Sequence, residues 1–87
     1  MYKELPLNTL LNDKRHKFHV IEVIPSDWLN NNHFIHATQL NKLDLEKLSN
    51  YYNKKSHLVI NNELHDAYYY YKTFKKMGYK YLYILKK

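Results

Sequence analysis

"HLVINNELHDAYYYYKTFKKMGYKYLYIL", residues 57–85, carries the pattern that decides the fold. Its opening "HLVI" is short, apolar and partly β-branched, which predicts a buried strand. Two asparagines, Asn61 and Asn62, then interrupt it. Beyond them Leu64, Ala67, Tyr71, Phe74 and Met77 recur at helical spacing, which predicts an amphipathic helix. Gly78 follows where a helix commonly turns through a left-handed residue, and "YKYLYILKK" predicts a closing strand. A strand, a helix and a second strand with short connections call for a right-handed crossover between parallel strands.

The N-terminal half repeats that logic. In "KFHVIEVIP", Phe18, Val20, Glu22 and Ile24 fall on one side of a strand and His19, Ile21 and Val23 on the other. Both sides are largely apolar, as in the interior of a parallel sheet. Pro25 ends it, and "SDWLNNN" predicts a turn or a single helical turn capped by Ser26 or Asp27. Ahead of it, "LPLNTLLNDKR" predicts a short helix through Leu7, Leu10 and Leu11, with Asn8 as a candidate N-cap. After it, "HFIHATQLNKL" fits a short strand through Thr38 to Leu40. "LDLEKLSNYYNKK" then predicts a helix with Asp44 at its start, Leu45, Leu48 and Tyr52 on one face, and Lys54 and Lys55 at its C-terminal end. The expected class is α/β, a small three-layer parallel-sheet domain spanning residues 1–87 as one unit.

Composition narrows the chemistry. The 87 residues include 45% apolar side chains, a single glycine and two prolines, the profile of a folded chain and not a disordered one. Cysteine is absent, which excludes disulfides, thiolate metal sites and thiol nucleophiles. No stretch nears the ~20 apolar residues of a membrane span and the start has no apolar leader core, so a soluble cytoplasmic protein is expected. The net charge of +6 suits a polyanion partner. Thirteen of the fourteen basic residues are lysines, however, and only Arg15 carries the fork that reads base edges.

The stretches "VIEVIP", "NHFIHATQL", "HLVIN" and "KKMGYKYLYIL" resemble the rhodanese-like domain family. In that family a strand ends in an Asp-Val-Arg type motif, and a Gly-His-Ile-x-Gly-Ala turn follows. A second strand delivers the catalytic cysteine, and the active-site loop leads into a helix ending in Gly-aromatic. Glu22 and Val23 stand where the family has Asp-Val, His33, Phe34 and Ala37 where it has His, Ile and Ala, and Gly78 where the helix ends. Asn61, seventeen residues before Gly78, stands where the resemblance places the cysteine. A carboxamide is no nucleophile and cannot carry a persulfide, so no sulfurtransferase activity is expected.

Further departures concern the loop of Asn61, Asn62, Glu63, Leu64, His65 and Asp66. The family's loop offers backbone N–H groups and a helix N-terminus to an anionic sulfur species. Here Glu63 and Asp66 bring carboxylates to that position, each repelling a bound anion by about 1 kcal/mol at close range in water. Ile24 replaces the motif arginine. Tyr70 and Tyr71 fall where the family prefers small residues, so the helix is expected to sit further out or Tyr70 to swing to solvent. The sequence stops at Lys87, before the Gly-Gly turn and trailing helix of the family. A sheet face near Tyr81, Tyr83 and Leu85 is therefore expected to lie uncovered and to support a homodimer.

Other chemistry finds little support. His65 is a candidate acid or base, but no Ser, Cys or Thr lies in its loop to act as nucleophile. The pairs His16/His19 and His33/His36 have a spacing that can ligate zinc, yet they flank opposite ends of the expected strand and cannot share one ion. The resemblance makes His33 a structural turn residue, and no metal or cofactor is expected. Consecutive helical residues point about 100° apart, so the four tyrosines cannot form one stacking platform. Tyr71 is expected to face the core, Tyr68 to border it, and Tyr69 and Tyr70 to point outward. With Lys72, Lys75, Lys76 and Tyr79 these form an aromatic and basic surface suited to a protein interface. The sequence thus predicts an inactive rhodanese-like domain serving as a protein-binding or regulatory module. The alternative is a small nucleic-acid-binding protein using Lys72, Lys75, Lys76, Lys80, Lys86 and Lys87.

Overall fold

The computed structural model describes residues 2–24 and 37–87. Five strands, β1 (Glu4–Pro6), β2 (Phe18–Ile24), β3 (Thr38–Asn41), β4 (His57–Ile60) and β5 (Tyr81–Lys86), form one sheet in the order β1-β5-β4-β2-β3. Every pairing is parallel. The α/β class read from the sequence holds. Pro25, Ser26, Asp27, His33 and His36, and with them the expected turn and the second histidine pair, lie outside the described residues.

One sheet face carries the larger core. Ile21 and Val23 of β2, Leu40 of β3, Leu58 and Ile60 of β4, and Leu82 and Ile84 of β5 pack with Ala67, Tyr71 and Phe74 of helix α3 (Leu64–Lys76). The alternation of strand side chains puts these residues on one side, and the helical period of α3 matches it. The opposite face holds a smaller cluster of Leu5, Val59 and Leu85, covered by Leu7 and Leu10 of helix α1 (Leu7–Leu11). α1 begins after Pro6 with no side-chain cap, and Asn8 lies within it and does not cap it.

Four expectations change. Strand β1 was not expected from "ELP", three residues with a weak pattern, yet Leu5 pairs with Leu85 and Ile84 N–H donates to the Lys3 carbonyl at 2.8 Å. The helix expected over "LDLEKLSNYYNKK" is reduced to a 3-10 turn, Leu45–Lys47, and a short helix α2 (Leu48–Tyr51). Asn53 explains the early stop: its side-chain oxygen accepts the Lys55 N–H at 2.9 Å, a local turn that competes with helix. Asp44 makes no side-chain cap and instead pairs with Lys47 at 3.5 Å. Lastly, Leu64 is 53% exposed and does not join the buried face of α3.

Gly78 has φ 106°, the left-handed conformation expected at a helix end. It redirects the chain so that Tyr79 turns inward and β5 starts two residues later.

Candidate functional site

The end of β4, where the sequence places no nucleophile, is a hydrogen-bonded joint. Asn61 is buried, and its N–H donates to the Ile21 carbonyl at 2.9 Å, carrying the β4–β2 ladder one step past Ile60. Its side-chain Nδ2 donates to Glu22 Oε2 at 2.8 Å. Glu22 is 1% exposed, and its other oxygen accepts from Gln39 Nε2 at 3.3 Å. A buried carboxylate needs such partners, since an unpaired one would carry a large desolvation cost. Glu22, read from the sequence as a motif residue, is thus the acceptor that fixes Asn61.

Asn62 continues the joint in another way. Its Oδ1 accepts the Val23 N–H at 3.1 Å and its Nδ2 donates to the Val23 carbonyl at 2.9 Å. A carboxamide has both a donor and an acceptor and so imitates the next peptide of the strand. The β2 backbone is thereby satisfied where β4 has already left the sheet.

Glu63, Leu64, His65 and Asp66 are all exposed, at the first turn of α3. Asn61 and Asn62 face inward and the other four loop residues face solvent, so the six do not form one site. Ala37, set by the resemblance at a motif alanine, is half-buried just before β3. Among the described residues no group of three or more His, Cys, Asp or Glu could hold a metal ion.

The tyrosine run divides nearly as expected. Tyr71 is buried, Tyr68 borders the core with its ring 4.4 Å from that of Tyr2, and Tyr69 is 64% exposed. Tyr70 departs from expectation: it is half-buried and its ring stacks on Phe74 with centroids 6.4 Å apart. Burial, then the neighbouring Asp66 and Tyr69, push its phenol pKa up. Tyr79 is a clear correction, because it is fully buried and cannot belong to an interaction surface. Its hydroxyl donates to the Tyr52 carbonyl at 2.7 Å, and Tyr52 in turn shares a 2.8 Å hydrogen bond with Thr38. The exposed surface on α3 therefore reduces to Tyr69, Lys72, Lys75 and Lys76.

Comparisons with family models, curated proteins and solved structures each find no significant match. Function rests on geometry. Of the six lysines named as the alternative nucleic-acid surface, Lys72, Lys75 and Lys76 lie exposed on α3, while Lys80 and Lys86 stand at opposite ends of β5, about 20 Å apart. Lys86 also pairs with Glu4 at 3.8 Å. Among the described residues no helix is long and apolar enough to cross a membrane.

Two contributors escaped the sequence reading. Gln39 meets Glu22 only through the β2–β3 register, where the two residues are direct partners. Tyr2 packs on both Tyr68 and Tyr71, at centroid distances of 4.4 and 5.1 Å, and no local pattern marks it.

Proposed function

We propose that this chain is a catalytically inactive rhodanese-like domain that works as a protein-binding or regulatory module. The observation that supports the reading is the engagement of the Asn61 amide with the buried Glu22 carboxylate, at the strand end where the family resemblance would require a free thiolate. A side chain held this way serves the fold. The contact surface is then the outward side of α3, where Tyr69 supplies a rigid aromatic anchor and Lys72, Lys75 and Lys76 surround it with positive charge. A partner that fits offers an apolar pocket for the ring and carboxylates around it.

Two measurements test the reading. Thiosulfate and cyanide should yield no thiocyanate above a heat-inactivated control, and protein-dependent turnover would end the inactive-domain reading. Proteins captured from the native host should lose one specific species when Tyr69→Ser and Lys72→Glu are introduced together. Capture that is the same for both baits would remove α3 as the interface. If the double variant instead loses salt-sensitive oligonucleotide binding, the α3 lysines serve nucleic acid.

A further inference from the structure

At the end of the sheet away from Asn61, the first residues of three adjacent strands bring aromatic rings together. Phe18, His57 and Tyr81 open β2, β4 and β5, and the register makes Phe18 the partner of His57 and His57 the partner of Tyr81. The His57 ring stacks on Tyr81 with centroids 4.5 Å apart and planes at 21°. Phe18 meets His57 edge-on at 5.9 Å, and His57 Nδ1 lies 3.2 Å from the Tyr83 hydroxyl. The histidine is thus held from several sides, and Tyr81 remains 41% exposed as the outer member of the stack.

Lysines surround this platform. Lys54, Lys55 and Lys80 line an open depression of about 410 Å³ together with His57, Gly78 and Tyr81. Lys17 stands at its margin, its ammonium 5.5 Å from the Phe18 centroid. Lys54 is positioned in advance: its stem lies along Gly78, where an added Cβ would come within 3.6 Å of its Cδ, and its ammonium sits 4.2 Å from the Tyr79 centroid. Among the described residues, none of Lys17, Lys54, Lys55 or Lys80 forms an ion pair. Burial first, then the charges of Lys17 and His19, hold the His57 pKa below its usual value. The local field is positive, and no carboxylate lines the depression.

Three lysines lining one depression beside an exposed ring match a ligand that is both anionic and flat. Lysine binds phosphate as a point charge, and a base stacks on an aromatic face whatever its sequence. The size agrees with small-ligand sites of roughly 300–1,000 Å³. We propose that this depression binds a phosphorylated nucleoside, with the base on Tyr81 and the phosphate among Lys54, Lys55 and Lys80. The depression is lined by none of the α3 contact residues Tyr69, Lys72, Lys75 and Lys76, and the proposal does not depend on that contact. A free mononucleotide and the end of a single strand present the same chemistry.

Titration with TMP, thymidine, inorganic phosphate and hexathymidylate, followed by NMR, tests the assignment. TMP should shift the signals of His57, Gly78 and Tyr81 saturably, and thymidine and inorganic phosphate should each bind about tenfold more weakly or worse. Tyr81→Ala should weaken TMP about tenfold and leave inorganic phosphate unchanged, whereas Tyr81→Phe should restore TMP. Lys54→Gln with Lys80→Gln should weaken TMP and phosphate alike. Lys86→Gln, an equal loss of charge per site at the far end of β5, should change neither. Hexathymidylate binding more than about tenfold tighter than TMP, with a steep salt dependence, identifies single strands as the source. Equal affinity identifies a mononucleotide. No saturable shift, phosphate binding as tightly as TMP, or an unchanged Tyr81→Ala variant would overturn the proposal.

Discussion

At the scale of single residues, Asn61 and Glu22 decide what the end of β4 can do. The 2.8 Å bond between them joins residues 39 apart in sequence, so no local pattern pairs them. A register had to be known first. An Asn61→Cys variant would place its thiol beside the Glu22 carboxylate in a buried setting, and both burial and a nearby negative charge raise a thiol pKa. The thiol should therefore titrate above about 8.5, react slowly with a disulfide reagent at neutral pH, and support no sulfurtransferase turnover. A pH-rate profile of thiol labelling checks it. Glu22→Ala, which strips Asn61 and Gln39 of their common acceptor, should cost about 2–4 kcal/mol by urea unfolding.

His57 gives this scale a pH signature. Its pKa is lowered from the usual 6.5 by burial, then by Lys17 and His19, so the unfolded chain binds the proton more tightly than the folded one. Stability from this site is fully present above the unfolded value and is lost as pH falls through the folded one. The groups facing the ring are cationic or phenolic: Lys17, Lys54, Lys55, Lys80, His19, Tyr81 and Tyr83. None is a carboxylate. Between about pH 7 and 5 the wild type should lose more stability than His57→Gln, as read from urea midpoints. Parallel slopes would place the sensitivity on another histidine.

At the scale of elements, α3 was the most legible because a period of 3.6 residues leaves its mark over thirteen positions. The buried Ala67, Tyr71 and Phe74 follow that period, and Gly78 ends the helix as its residue type requires. The errors fall at the ends, where the sheet no longer lies beneath the helix: Leu64 points to solvent and Tyr79 turns into the core. The short α2 fails for another reason, since the Asn53 turn is a local competitor that apolar spacing cannot reveal. Phe74→Ala should cost about 3–5 kcal/mol, whereas exposed Tyr69→Ala should stay within about 0.5 kcal/mol. Gly78→Ala, forced to φ 106°, should cost about 1–2 kcal/mol. Thermal or urea unfolding of the three variants gives the ranking.

At the scale of the whole molecule, the strand order sets the first strand beside the last and changes what self-association can use. A sequence cannot easily reveal that β1 pairs with β5, because three residues carry the contact. The consequence is that Leu85, expected to lie uncovered, is only 8% exposed beneath Leu5 and α1. What stays open on that face is Tyr81, 41% exposed at the lysine-lined depression. Two copies meeting there would bring Lys17, Lys54, Lys55 and Lys80 of each against the other set, at about 1 kcal/mol per close pair in water. The sheet edges offer little instead, since β1 has three residues and ends at Pro6, and β3 has four. Salt screens the lysines over about 10 Å at 0.1 M, so association through this face should be weakest at low ionic strength and grow as salt rises. Sedimentation equilibrium across a salt series reads that trend directly. A dimer that is tightest at low salt would instead require opposite charges to meet, pairing the lysines of one copy's α3 with the carboxylates Glu63 and Asp66 of the other.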